Sequence, residues 1–152
     1  MATTVRLTRT QDRVADMSNR LLVIDDSNVH RTILCRIGEK AGFETVGAAS
    51  YQEATKLLRE SEFDCITLDL SLGERAGVEV LHLLSTIKFQ APIIIISGSE
   101  DIVREETVKI GKSLNLNLTT PVPKPVDLSV LRELLARIGQ KADLQKLARA
   151  PV

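Results

Sequence analysis

Residues 21–26 read Leu-Leu-Val-Ile-Asp-Asp, a short apolar run that ends in two carboxylates. The same form recurs at residues 64–69, Asp-Cys-Ile-Thr-Leu-Asp, and at residues 93–97, Ile-Ile-Ile-Ile-Ser. An apolar run without polar alternation is typical of a strand that is covered on both faces. Strands of that kind belong to parallel sheets, so these three segments predict an α/β fold.

Segments with helical spacing of apolar residues separate the strands. The predicted inward face of the first helix is Val29, Ile33, Ile37 and Ala41. Later helices have polar residues placed to cap their amino ends: Ser50, with Glu53 at the capping-box position, and Asp127 before the last helix. The pattern therefore alternates strand and helix along the chain.

Five such strand–helix units can be counted, the fifth strand lying within residues 114–122. Alternating units imply a parallel sheet with helices on both faces, and right-handed crossovers leave few topologies. We therefore predict a flavodoxin-like (βα)5 doubly wound sheet with strand order 2-1-3-4-5. Ligands bind such sheets at the carboxyl ends of the strands.

The chain divides by composition into three parts. Residues 1–19 are polar and form a predicted N-terminal arm, residues 20–139 carry the fold, and residues 140–152 form a predicted helical extension. Gly139 is expected to end or bend the last helix. Beyond it, Leu144, Leu147 and Ala148 have helical spacing, and we hypothesise that the arm or the extension helps to form a homodimer.

Composition excludes several classes of function. Lys+Arg and Asp+Glu number 20 each and aromatic residues make up 3%, so nothing points to a nucleic-acid or membrane surface. Cys35 and Cys65 lack the spacing of a zinc or redox motif, which favours buried thiols in a reducing compartment. The sequence has no signal-peptide pattern and no run long enough to span a bilayer, so we expect a cytoplasmic protein.

Three carboxylates are expected to meet where the strands end: Asp25, Asp26 and Asp69. At ~4 Å and a surface-like dielectric constant, each like-charged pair costs on the order of 4 kcal/mol. Such a cluster must take up protons or bind a cation. No His or Cys is expected to be placed beside these oxygen donors, so the cluster favours Mg²⁺ over softer metals.

Two further strand ends add groups that suit phosphoryl chemistry. Lys124, held between Pro123 and Pro125, supplies an ammonium group, and Ser97 supplies a hydroxyl group. An ammonium and a magnesium ion facing one carboxylate would neutralise the charge on a transferring phosphoryl group. Asp69 can then act as a nucleophile that forms an acyl phosphate.

Residues 21–126 resemble the receiver domain of bacterial two-component response regulators. The matching motifs are Val-Ile-Asp-Asp (23–26), Leu-Asp-Leu (68–70) with Gly77 eight residues after the aspartate, Ile-Ser-Gly (96–98) and Lys-Pro (124–125). The resemblance implies that a sensor histidine kinase phosphorylates Asp69. In overall sequence and extended ends, the chain is also similar to single-domain regulators associated with bacteriophytochrome kinases.

The resemblance also implies how the metal is held. Asp26 would be a direct Mg²⁺ ligand, Asp25 a ligand largely through water, and Ser71 the donor of a backbone carbonyl, with Asp69 completing the set. Ser97 would be the hydroxyl that moves toward the phosphoryl group.

Lys124 would contact the phosphoryl oxygens, and the peptide bond to Pro125 would be cis, as is often the case in the family.

Two positions depart from the family pattern. Pro121 stands where an aromatic residue usually precedes the lysine, so output cannot depend on the rotation of that ring. Gly73 stands where the family often has proline, which loosens the loop beside Asp69. Output is expected to pass through Ser97 and the helix that follows it, or through the termini.

We expect a signalling switch rather than an enzyme. After Gly139 only thirteen residues follow, which predicts a single-domain regulator that acts by binding a downstream protein, a relay component or itself. Two alternatives stay open: a Mg²⁺-dependent phosphohydrolase, which usually has a second aspartate where this chain has Ser71, and an unphosphorylated scaffold. His30 lies near the strand ends and is expected to be an ordinary exposed or half-buried side chain; contact with an incoming kinase is the alternative.

Overall fold

The computed structural model describes residues 18–70, 76–98 and 101–149. Most of the predicted N-terminal arm, together with Ser71 and Gly73, lies outside these residues. The strands are β1 (Arg20–Ile24), β2 (Glu44–Ala48), β3 (Cys65–Asp69), β4 (Ile93–Ser97) and β5 (Val122–Pro123). The helices are α1 (Asn28–Lys40), α2 (Tyr51–Glu60), α3 (Ala76–Thr86), α4 (Asp101–Ser113) and α5 (Leu128–Arg149).

All five strands pair in parallel in the order β2-β1-β3-β4-β5, which confirms the flavodoxin-like prediction. The fifth strand was predicted within residues 114–122, but it lies at the end of that range and extends one residue beyond it. It pairs only through Val122 and Pro123, while Leu118 makes an isolated bridge to Ile93. Pro121 and Pro123 have no amide hydrogen to donate, so the ladder cannot extend along this edge.

The sheet is buried on both faces, as the unbroken apolar runs predicted. Alternate residues of β1 enter different cores: Leu22 and Ile24 join one cluster, and Leu21 and Val23 join the other. Each of these four side chains is fully buried. Burying a leucine or isoleucine contributes roughly 1.5–3 kcal/mol, so the strands hold their register firmly.

The predicted inward face of α1 is wrong in part. Val29 is 73% exposed and Ile33 is 38% exposed, while Leu34 and Gly38 are buried. At Gly38 the helix comes so close to the sheet that a Cβ atom would lie 2.6 Å from Leu21 Cδ2. This close approach fixes which side of the helix faces the sheet, and it leaves Val29 and Ile33 on the solvent-facing side.

The predicted helix caps are confirmed. Ser50 Oγ accepts a hydrogen bond from the Glu53 amide at 3.1 Å, and Asp127 Oδ1 accepts from the Ser129 amide at 3.1 Å. The Glu53 carboxylate accepts from the amide of Ala49, one residue before the cap, at 2.6 Å. These bonds satisfy amide donors that have no partner inside the helix.

Helix α5 does not end at Gly139 but continues without interruption to Arg149. Its last turns are held against the residues that precede β1 and β3. Asn19 Nδ2 donates to the Gly139 carbonyl at 3.1 Å, and Lys146 Nζ lies 3.1 Å from Asp64 Oδ2. No helix among the described residues is both long and apolar enough to cross a bilayer.

Candidate functional site

The carboxyl ends of four strands bring the predicted side chains together. Asp25 follows β1, Asp69 ends β3, Ser97 ends β4, and Lys124 follows β5. In the parallel register Asp69 pairs with Ile96, one residue before Ser97, so these ends lie at the same edge. The topology thus assembles four of the predicted groups at one end of the sheet.

Asp25 is fully buried and is held by the start of α1. Its Oδ1 atom accepts a hydrogen bond from the Ser27 amide at 2.9 Å, and its carbonyl accepts from Arg31 Nη1 at 2.8 Å. The side chain of Arg31 lies across Gly47, where a Cβ atom would be 2.9 Å from Arg31 Cδ. A glycine on β2 therefore leaves room for the arginine that fixes the Asp25 backbone.

The two adjacent carboxylates differ sharply in environment. Asp25 is buried, whereas Asp26 is exposed at the rim. Sequence alone could not say which of the pair faces inward, because both follow the same strand. Ser71, the predicted carbonyl donor, lies outside the described residues.

Asp69 and Lys124 form a close ion pair. Lys124 Nζ lies 2.6 Å from Asp69 Oδ2, and the carboxylate side chain is only 1% exposed. The backbone amide of Lys124 donates to the Ser97 carbonyl at 3.1 Å, and the Lys124–Pro125 peptide bond is cis, as predicted.

Gly98 leaves space for the aliphatic stem of this lysine, since a Cβ atom there would lie 3.3 Å from Lys124 Cδ. The Ser97 side chain is buried at the end of the neighbouring strand. The lysine is therefore aimed by its backbone and by a glycine beside it.

The expectation that no histidine lies beside the carboxylates is wrong, because His30 reaches the site from α1. Its side chain is 25% exposed, within the expected range, but its Nδ1 atom contacts Asp25 Oδ2 and lies 3.6 Å from Asp69 Oδ2. One feature of the sequence could have indicated this placement: His30 lies three residues after Ser27, whose Oγ accepts a hydrogen bond from the His30 amide. That spacing puts His30 in the first turn of α1, beside the strand ends.

The donor atoms present suit a divalent cation. One ligand atom each from Asp25, His30 and Asp69 lie within 4.8 Å of one another. Two buried carboxylates, with a third at the rim on Asp26, are the oxygen donors that Mg²⁺ prefers. The imidazole nitrogen is a different kind of donor, better suited to transition metals.

Neither cysteine belongs to this site. Burial raises the pKa of the Cys65 thiol, and it also raises the pKa of the half-buried Cys35 thiol above its usual value. Both thiols therefore stay protonated near neutral pH and are poor nucleophiles.

Comparison with known proteins gives a consistent family and fold. The family model described as response regulator receiver domain matches residues 21–136. The transcriptional regulatory protein SrrA of Staphylococcus aureus is 38% identical over 96 residues, which cover 62% of this chain and 39% of SrrA. The matched segment thus spans well under half the length of that curated relative.

Two solved structures are similar to most of the chain. A response regulator from Colwellia psychrerythraea is 26% identical with a TM-score of 0.72, covering 81% of this chain and 98% of that one. A response regulator protein from Burkholderia pseudomallei, solved with a phosphorylated aspartic acid, calcium ion and citrate, is 27% identical with a TM-score of 0.63. That alignment covers 88% of this chain and 76% of the other.

Proposed function

The chain belongs to the family of response regulator receiver domains, and from this premise we propose that it accepts a phosphoryl group on Asp69 from a sensor histidine kinase. The observation that carries the proposal is the placement of Asp69: buried, 2.6 Å from the Lys124 ammonium, and beside the buried Asp25. A carboxylate in this setting is oriented and electrostatically compensated for nucleophilic attack.

The transfer exchanges one bond to phosphorus for another. An oxygen of Asp69 bonds to phosphorus while the bond from phosphorus to the kinase histidine nitrogen breaks, leaving an acyl phosphate on Asp69. Lys124 is close enough to contact the incoming phosphoryl oxygens and offset their charge. Ser97 lies on the neighbouring strand, and we propose that its hydroxyl moves toward the phosphoryl group once Asp69 is phosphorylated.

The metal that supports this step is proposed to be Mg²⁺. Asp25, Asp26 and Asp69, together with the backbone carbonyl of Ser71, would hold it, with Asp25 acting largely through water. When bound, Mg²⁺ would neutralise the negative charge that develops on the phosphoryl oxygens. The similar Burkholderia structure contains a phosphorylated aspartic acid and a calcium ion. The first supports phosphorylation of Asp69, and the second supports a divalent cation at this site.

The output is proposed to be a phosphorylation-dependent contact with another protein. Because Pro121 replaces the usual aromatic residue, we propose that the change passes through Ser97 and α4. Phosphorylation would shift a pre-existing equilibrium between two conformations of this face. The SrrA match covers 39% of that protein, so its transcriptional role is not carried over to this chain.

We propose that a second copy of the chain is one of the partners. Leu144 is 67% exposed and Leu147 is 60% exposed on the last turns of α5. These two leucines lie three residues apart on a helix, so they form a small apolar patch that a homodimer would cover.

We propose a bacteriophytochrome as the sensor kinase. Timing phosphotransfer from a bacteriophytochrome against transfer from other sensor kinases tests this choice.

We also propose a cytoplasmic location. It is supported by the two free thiols, Cys35 and Cys65, since disulfides persist in oxidising compartments. Cell fractionation tests this location.

One experiment distinguishes the switch from its two alternatives. The chain is incubated with Mg²⁺ and either acetyl phosphate or a panel of phosphomonoesters, and both protein-bound and released phosphate are followed. Stoichiometric labelling that is lost in Asp69→Ala, but kept in the exposed control Glu62→Gln, supports the switch. Sustained release from unrelated phosphomonoesters would indicate a phosphohydrolase, and no labelling would indicate a scaffold.

A further inference from the structure

We propose that Arg31 is a positioning residue for the magnesium site, because its guanidinium sets the direction of the peptide group that joins Asp25 to Asp26. Since Mg²⁺ at this site belongs to the proposed function, the assignment of Arg31 rests on that function. It adds a residue that binds neither the metal nor the phosphoryl group but holds two proposed ligands in place.

The Asp25 carbonyl lies at a point where β2 has ended. The amide of Asp25 donates to the Ala48 carbonyl at 3.0 Å, and Ala48 is the last residue of β2. The Asp25 carbonyl accepts instead from Arg31 Nη1 at 2.8 Å. A guanidinium from α1 therefore supplies the donor beyond the end of the neighbouring strand.

This hydrogen bond fixes more than the carbonyl itself. A peptide group is planar, so the direction of the Asp25 carbonyl also sets the positions of the nitrogen and Cα atoms of Asp26. The buried Asp25 side chain has its own support, since its Oδ1 atom accepts from the Ser27 amide at 2.9 Å. Asp26 is exposed, and an exposed side chain is directed mainly by its backbone. Asp26 therefore depends on this peptide group more than Asp25 does.

The arginine is itself held by the start of α1. Its backbone amide donates to the Ser27 carbonyl at 2.9 Å, and its Nη2 atom donates to Asn28 Oδ1. The guanidinium carries several donors in a rigid planar fork, so it can bind Asn28 and the Asp25 carbonyl together. One half-buried side chain thus joins the first turn of α1 to the end of β1.

Gly47 is an independent observation that the fold makes room for this arginine. It lies in β2 and does not have a positive φ, so its backbone conformation does not require glycine. A Cβ atom at this position would lie 2.9 Å from Arg31 Cδ and 3.1 Å from Arg31 Cγ. Glycine weakens the interior of a strand and often marks the close approach of another group. Here that group is the stem of Arg31.

The test compares the wild-type chain with Arg31→Ala, Arg31→Lys, Gly47→Ala and the double variant Arg31→Ala/Gly47→Ala. Arg36→Ala is the matched control, because Arg36 is an exposed arginine on the same helix. Isothermal titration calorimetry measures Mg²⁺ affinity, and circular dichroism checks that each variant is folded.

We expect Arg31→Ala to weaken Mg²⁺ binding by at least about 10-fold, as is typical when a group that orients a metal ligand is removed. Arg31→Lys should recover part of this loss, because an ammonium can still donate to the Asp25 carbonyl. Arg36→Ala should match the wild-type chain. Equal Mg²⁺ affinity in folded Arg31→Ala and wild-type chains would overturn the proposal.

Gly47→Ala tests the same contact from the opposite side. The added methyl group should displace the arginine stem and weaken Mg²⁺ binding by at least about threefold. It should add nothing in the double variant, since no arginine is then left to displace. A loss from Gly47→Ala that is the same with and without Arg31 would contradict the proposal.

Labelling with acetyl phosphate separates positioning from chemistry. In Arg31→Ala, the Mg²⁺ concentration that gives half-maximal labelling should rise by at least about 10-fold. The rate at saturating Mg²⁺ should stay within about threefold of the wild-type rate, because Asp69 and Lys124 are unchanged. A lower saturated rate with an unchanged half-maximal concentration would contradict a positioning role.

A measurement without metal tests the peptide group directly. In the metal-free chain, the NMR signals of the Asp25 carbonyl carbon and the Asp26 amide should shift in Arg31→Ala and in Gly47→Ala, but not in Arg36→Ala. Unchanged signals in Arg31→Ala would overturn the proposal. If these signals shift while the wild-type chain takes up no label, the proposed function fails and the placement of the peptide group by Arg31 stands.

Discussion

Lys124 Nζ lies 2.6 Å from Asp69 Oδ2, although β4 separates the strands that carry the two residues. The contact depends on the parallel register and on the path of the chain through Ser97, Gly98 and Pro125. The ion pair joins Asp69, the proposed nucleophile, to the ammonium that would offset the charge of its phosphoryl group. Its effect on stability and its effect on phosphorylation can be measured separately.

Replacing Lys124 with methionine should destabilise the fold by about 1–3 kcal/mol, because the buried Asp69 carboxylate loses a charged partner. Urea unfolding measures this change. The double variant Asp69→Asn/Lys124→Met should recover most of the loss, since no buried charge is then left without that partner. Lys56→Met, an exposed control on α2, should change stability by no more than about 0.5 kcal/mol. Simple additivity in the double variant would contradict a direct ion pair.

Gly38→Ala should destabilise the protein by about 1–3 kcal/mol because the new methyl group would meet Leu21 and Thr45 on the sheet. The sign is diagnostic, since alanine normally stabilises a helix by about 1 kcal/mol relative to glycine. Thermal or urea unfolding checks it, with the exposed Arg36→Ala as control. A gain in stability would show that α1 does not pack as closely as described.

The two thiols should differ in reactivity with an aromatic disulfide reagent. Cys35 is half-buried and should react slowly in the folded protein, whereas the fully buried Cys65 should react only on unfolding. Burial raises the pKa of Cys65 above the ordinary 9.0, so the folded state keeps a proton that the unfolded state loses. Stability should therefore fall as the pH rises above about 9, and Cys65→Ala should flatten that slope. Rapid labelling of Cys65 in the folded chain would refute the burial argument.

Replacing both Leu144 and Leu147 with glutamate should convert a homodimer to a monomer, since a charge on each chain would then face the other across the apolar patch. Sedimentation velocity measures the change. Val130→Glu is the control, because Val130 is 53% exposed at the other end of the same helix. A wild-type chain that sediments as a monomer at every concentration would rule out the homodimer.

Much of the fold follows from local patterns in the sequence. The runs at 21–24 and 93–96 predicted buried parallel strands, and the topology then required the groups after them to share an edge. The sequence alone therefore placed three groups at that edge: Asp69, Ser97 and Lys124. Strand positions could be predicted because burial on two faces requires an unbroken apolar run.

What the sequence could not supply depends on contacts between distant segments. The orientation of α1 follows from the close approach of Gly38 to the sheet, which no apolar count reveals. The continuation of α5 past Gly139 depends on Asn19, which lies at the other end of the chain. The position of His30 follows from both the orientation of α1 and the inward turn of Asp25, so it emerged only from the structure.

The central claim is that Asp69 carries the phosphoryl group, and chemical trapping of the acyl phosphate tests it most directly. After phosphorylation with acetyl phosphate and Mg²⁺, borohydride reduces an aspartyl phosphate to homoserine, and peptide mass spectrometry locates the converted residue. We predict homoserine at position 69 in the wild-type chain and in Glu62→Gln, and none in Asp69→Asn. Conversion at another carboxylate, or none in a folded wild-type chain, would contradict the account.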